Sequence, residues 1–134
     1  MTGNSLRFVT APDFETPRGD GGDNIYNVSV TANDGSNNSA AVAFVISVTD
    51  ANDAAPVITN TDLNPGIVEN TTAVTAITVT DTDSTVFTYT LGDVDGALFR
   101  MIGNTLHFIA APDFDTPQDT GGDNIYNVSV MAND

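Results

Sequence analysis

Cysteine, tryptophan and lysine are all absent from this chain of 134 residues, and basic character is limited to Arg7, Arg18, Arg100 and a single histidine. Without cysteine there is no disulfide framework, no thiolate nucleophile and no Cys-ligated zinc site. Three basic residues against 18 acidic ones leave a net charge of −15. Nucleic acid is excluded as a partner on that balance, because phosphate binding rests on Lys and Arg neutralising the backbone. An anionic membrane surface is disfavoured for the same reason. No run of about 18 apolar residues is present, so no transmembrane segment lies in this window, and Met1 is not followed by a basic and then apolar leader. Any export signal or anchor is expected outside these residues.

What the chain does have is a copy of itself. Gly3–Asp34 returns as Gly103–Asp134 with nine differences in 32 positions, most of them mild, such as Ser5/Thr105, Val9/Ile109 and Glu15/Asp115. Solenoid repeats run about 20 to 50 residues, so a period near 100 means one whole domain per repeat. The expected organisation is residues 1–53 as the C-terminal part of one repeat, its last three strands and linker, followed by residues 54–134 as a second repeat lacking its last strand.

Apolar residues recur with period two, the mark of half-buried strands, and helical spacing does not survive beyond a turn. Tyr26, Val28, Val30 and Ala32 form one stripe, repeated by Tyr126, Val128, Val130 and Ala132, and Val42, Phe44, Ile46 and Val48 form another. The fold class expected is all-β. From Ala54 onward the strands predicted are Val57–Asn60 with Gly66–Val68, Val74–Thr80, Val86–Leu91, Ala97–Ile102, Leu106–Ala110 and Ile125–Ala132. The first copy supplies the seventh as Ala40–Asp50. Seven short strands with turns every eight to twelve residues describe a Greek-key β-sandwich, present here as tandem repeats with the first truncated. The N-terminal third cannot close a sandwich alone. Its unpaired edges predict association or partial disorder over residues 1–50.

The acidic residues gather at strand ends and turns: Asp13 and Glu15 in PDFE, Asp50, Asn52 and Asp53 in DANDAAP, Asp81 and Asp83 in DTD, and Asp34 and Asp134 closing the AND segments. Oxygen donors converging without His or Cys suit a hard cation, and Ca²⁺ fits better than Mg²⁺ because it accepts six to eight oxygens in loose geometry.

These segments resemble cadherin repeats. DANDAAP is similar to the DxNDNAP linker, PDFE to LDRE, DTD to DxD, VSVMAND to the AxD ending, and IVEN to the glutamate near the first strand, in matching order over essentially the whole chain. The Asn- and Thr-rich style and the GGDNIY turn resemble cadherin-like repeats of bacterial surface or secreted proteins. The resemblance implies a cadherin/immunoglobulin-like sandwich with Ca²⁺ at the linker. It carries metal ligation to Asp13, Glu15, Asp50, Asn52, Asp53, Asp81, Asp83 and Asp134, and a half-site for the next linker to Glu69, Asp113 and Asp115. Ala54 replaces the usual asparagine, a position expected to act through its carbonyl. The resemblance further implies an extracellular or cell-surface location, and as partners calcium, adjacent repeats in the same chain, other cadherin-like proteins or surface glycans.

Asp and Asn also cap turns without binding anything. Asp93 and Asp95 in GDVDG, and Asp20 and Asp23 in RGDGGDN, are read as turn residues. RGD becomes QDT in the second copy, GDVDG lacks the remaining EF-hand carboxylates, and His107, replaced by Arg7, is read as a surface residue. The function expected is a calcium-binding module in adhesion or in a calcium-rigidified extracellular spacer. The alternative, a carbohydrate-binding module of a polysaccharide-active protein, suffers from the missing tryptophan and from tyrosines on inward stripes. An enzyme is not expected, since neither a nucleophile motif nor a shared histidine is present.

Overall fold

A computed structural model describes residues 4–134. Strands and turns make up the chain, with one 3-10 turn at Gly96–Leu98 and no α-helix among the described residues. Among the described residues no helix is long and apolar enough to cross a membrane. The chain divides into two compact units, one running to Ala51 and one of Asn52–Asp134.

The first unit is built on β1 (Ile25–Val30) and β2 (Val42–Ser47), antiparallel with an unbroken register from Ile25↔Ser47 to Val30↔Val42. Period-two patterning shows directly in β1, where Tyr26, Val28 and Val30 are half-buried and the residues between them exposed. The intervening turn is closed by Asp34, whose Oδ1 accepts the N–H groups of Ser36 and Asn37 at 2.9 and 2.8 Å. No described residue of this unit is buried. Phe8 packs edge-on against Tyr26 with ring centroids 5.0 Å apart, yet Phe8 and Phe44 remain 42% and 44% exposed.

The second unit carries three small antiparallel sheets. They use β3 (Val57–Ile58), β4 (Ala73–Ala76), β5 (Val79–Thr80), β6 (Thr88–Gly92), β7 (Phe99–Ile102), β8 (Thr105–Phe108) and β9 (Ser129–Asn133). The pairings are β3–β5, β4–β8–β7 and β6–β9. A tight turn with Gly103 at φ +61° joins β7 to β8. Phe99, Leu106 and Phe108 are buried at its centre, with Ile67, Val74, Leu91, Leu98, Met101, Tyr126 and Val128 packed around them. Phe108 meets Phe99 at 4.2 Å and Tyr126 edge-on at 4.9 Å.

Several predicted strands are shorter than their apolar runs, for identifiable reasons. Val74–Thr80 breaks at Ile77–Thr78, where Asn60 donates to the Ala76 carbonyl (2.7 Å) and accepts the Thr78 N–H (2.8 Å), so a side chain takes the place of a strand partner. Gly66–Val68 forms no strand, although Ile67 packs on the core. In the first copy Leu6–Phe8 is not a strand, whereas Leu106–Phe108 lies in β8. β8 sits between β4 and β7, and residues 4–51 supply no counterpart of either.

Two buried carboxylates organise the second unit. Asp95 Oδ1 accepts the N–H and hydroxyl of Thr120 (2.8 and 2.7 Å), and its Oδ2 accepts the Asn127 N–H (2.8 Å). Asp119 accepts the N–H groups of Asp123 and Asn124, both at 3.0 Å. The turn reading of Asp95 thus becomes a bracing role.

Candidate metal centre

The DTD turn follows β5 directly, so strand alternation and a reversal of the chain bring Asp81 and Asp83 to one end of the second unit. Asp81 Oδ1 closes the turn by accepting the N–H groups of Asp83 and Ser84, both at 2.9 Å. Asp83 Oδ2 accepts the N–H groups of Asp53 and Ala54 at 2.8 and 2.9 Å. One oxygen of each carboxylate is therefore fixed by backbone.

The other oxygen of each is the unusual feature. Asp81 Oδ2 and Asp83 Oδ1 are both shielded from solvent and have no hydrogen-bond partner. Buried polar groups are almost always satisfied, and buried charge is paired or bound to metal. Asp134, the next residue after β9, brings a third carboxylate, and the oxygens of Asp81, Asp83 and Asp134 lie within 4.8 Å of one another. Hydrogen bonding keeps the Asp83 carboxyl below its ordinary value, the Ala54 N–H foremost, followed by the contact with Asp81 and the N–H of Asp53. At neutral pH these contacts keep the Asp83 carboxylate ionised beside the other two carboxyl groups.

The donor set is all carboxylate, with exposed Asn52 and Asp53 and the backbone of the linker beside it. Such a set selects hard cations over zinc or copper. This acidic cluster can hold a metal ion.

The remaining predicted ligands are placed as follows. In the first unit Asp13 Oδ1 caps a turn, accepting the N–H groups of Glu15 and Thr16 at 3.1 and 3.2 Å. The Thr16 side chain is the largest of the influences that hold the Asp13 carboxyl below its usual value. Glu15 and Asp50 are exposed. In the second unit Glu69 Oε2 accepts the Phe114 N–H at 2.8 Å, which sets it against the segment that carries Asp113 and Asp115. Asp113 Oδ1 accepts the Asp115 N–H at 3.0 Å. Among the described residues these three carboxylates do not converge as Asp81, Asp83 and Asp134 do.

Sequence reasoning missed the amides of Asp53 and Ala54. Ala54 was expected to contribute a carbonyl, and the contact seen is its N–H on Asp83. A side-chain pattern carries no signal for such a backbone contact.

No protein-family model matches the chain, and neither does any curated protein.

Proposed function

We propose that the chain is a calcium-binding module of cadherin-like type, a Greek-key sandwich repeat that acts in cell-surface adhesion or as a calcium-rigidified extracellular spacer of a bacterial protein. The observation that carries this reading is the pair of buried, unpartnered oxygens, Asp81 Oδ2 and Asp83 Oδ1, converging with Asp134. Backbone donors hold both carboxylates in place before any ion arrives, so little ordering remains for binding to impose. Ca²⁺ is favoured over Mg²⁺ because neighbouring linker carbonyls and water can complete a loose shell, whereas Mg²⁺ demands a near-ideal octahedron.

The functional step follows from linkage. The Asp53 and Ala54 N–H groups already hold the linker to Asp83, and neutralising the carboxylates removes the repulsion that opposes this arrangement. A cation that binds the ordered linker better than the splayed one shifts the population toward order by that difference in affinity. A duplicated domain with an ion at its linker suits a spacer or adhesive rod better than a specialised catalytic site. No enzymatic role enters this reading.

The test is a calorimetric titration with Ca²⁺, repeated in excess Mg²⁺ and on the Asp81→Asn and Asp83→Asn chains, with exposed Asp93→Asn as control. Saturable binding is expected at roughly 10⁻⁴ to 10⁻³ M, the range of extracellular modules. Both site variants should weaken it by about tenfold or more, equivalent to the loss of roughly 1.4 kcal/mol of binding free energy. No saturable binding at several millimolar Ca²⁺, or equal weakening by Asp93→Asn, would overturn the proposal.

A further inference from the structure

The run Val86–Leu91 alternates with period two, which places Phe87, Tyr89 and Leu91 on one face. Leu91 packs on the Phe99–Leu106–Phe108 core, whereas Phe87 and Tyr89 are not among the residues around it. Both rings are half-buried, and neither meets another aromatic ring among the described residues. They line a groove of about 530 Å³ that lies wholly in the second unit. Ile77 and Thr78, where the apolar run of β4 and β5 breaks, line it too, as does the Gly103–Asn104 turn between β7 and β8. That turn is fixed, because the Ile77 N–H donates to the Asn104 carbonyl at 2.7 Å and Asn104 Nδ2 donates to the Ile77 carbonyl at 3.2 Å. It also borders open space: a Cβ on Gly103 would meet no atom within 4 Å. Nothing in the lining comes from β9, so the groove does not depend on what pairs with that strand.

Nine residues line the groove and none of them is charged, in a chain of net charge −15. An ionic ligand would find no counter-charge there, and its desolvation would go uncompensated. The lining divides instead between apolar surface and free hydrogen-bonding groups. The hydroxyls of Thr78, Thr85 and Tyr89 and the Oδ1 of Asn104 have no hydrogen-bond partner among the described residues. Small-molecule sites run to about 300–1,000 Å³ and combine aromatic walls with a few polar groups. Rings beside unpaired hydroxyls match a ligand that is apolar on its own ring faces and hydroxylated around its edge, which describes a pyranose.

We infer that this groove binds a neutral glycan, with sugar C–H faces against Phe87 and Tyr89 and sugar hydroxyls on Thr85, Tyr89 and Asn104. Tyr89 lies on an inward stripe and still lines open space, so an inward tyrosine here does not exclude sugar. The site uses none of the carboxylates proposed to hold a cation.

Ring and amide NMR shifts of the full chain test this, in separate titrations with cellohexaose, mannohexaose, xylohexaose and, as the anionic comparison, hexagalacturonate. Saturable shifts are expected at the Phe87 and Tyr89 rings and the Gly103 and Asn104 amides with at least one neutral probe, and none with hexagalacturonate. Thr85→Val and Tyr89→Phe each remove a hydroxyl at nearly constant shape. Each should weaken binding by about two- to tenfold, the usual worth of one hydrogen bond, at unchanged Tm. Thr61→Ala, exposed and outside the lining, should leave binding as it is. No saturable shift with any neutral probe up to tens of millimolar overturns the inference, as do equal shifts with hexagalacturonate or full affinity in both hydroxyl variants. Shifts at these residues that grow with chain concentration in the absence of sugar assign the groove to a second copy and overturn it likewise.

Discussion

Phe8 and Phe108 occupy the same place in the two copies, and replacing each by alanine should have unequal consequences. Phe108 is 4% exposed and enclosed by Phe99 and Tyr126, while Phe8 is 42% exposed and touches Tyr26 alone among the aromatic rings. For Phe108→Ala the lost transfer energy and the enclosed cavity add, giving about 3–5 kcal/mol. For Phe8→Ala less than three-fifths of the residue is covered and the vacated space opens to water. The loss falls to about 1–1.5 kcal/mol by area, at roughly 25 cal/mol per Å². A domain of this size loses about 4–8 °C in Tm per kcal/mol, so Phe108→Ala should lower the transition of the second unit by at least roughly 12 °C.

Residue-resolved hydrogen exchange reads the two units separately. In the parent chain the amides of β7 and β8 should open with a larger free energy than those of β1 and β2, since the only buried apolar cluster among the described residues surrounds β8. Phe108→Ala should bring the β7 and β8 amides down by about the amount above, and Phe8→Ala should change the β1 and β2 amides by less than half as much. Equal losses at the two positions would refute the assignment of the core to the second unit.

Acid should act through Asp95. The amide of Asn127 first, and then the hydroxyl and amide of Thr120, hold its carboxyl below the ordinary value of 3.8. A group depressed in the folded state stabilises fully above its unfolded value and stops doing so as pH falls through the folded one. Urea titrations should therefore show the parent losing stability below pH 3.8, and Asp95→Asn should be destabilised at neutral pH with a gap to the parent that narrows on acidification. Asp119 titrates in the same sense. Burial alone would raise it, but the amides of Asp123, Asn124 and Gly122 outweigh burial and leave the carboxyl lowered. Replacing Asp119 by the glycine found at position 19 should free the Asp123 and Asn124 amides, seen as a rise in their exchange rates with the β8 amides unchanged. Asn133→Pro, at the end of β9 where Asn133 pairs with Thr88, should weaken Ca²⁺ binding in calorimetry by displacing Asp134.

The class of the fold was legible because period two is a property of side chains, and Tyr26, Val28 and Val30 obey it wherever they are placed. Local turns were legible too. Asn24 and Asn124 both donate to the carbonyl of the phenylalanine ten residues earlier, at 2.9 and 3.0 Å. Arg18 and Gln118 both donate their backbone N–H to the tyrosine hydroxyl eight residues on, at 3.3 Å. Such contacts close within a dozen residues, so the same local sequence makes them twice. Strand extent was not legible, because a strand is finished by a neighbour that the local sequence does not specify. Leu6–Phe8 and Ile125–Val128 are the cases that show it. The DTD pair was legible as an acidic turn, whereas its anchoring by the Asp53 and Ala54 amides joins residues 30 and 29 apart and leaves no mark in composition.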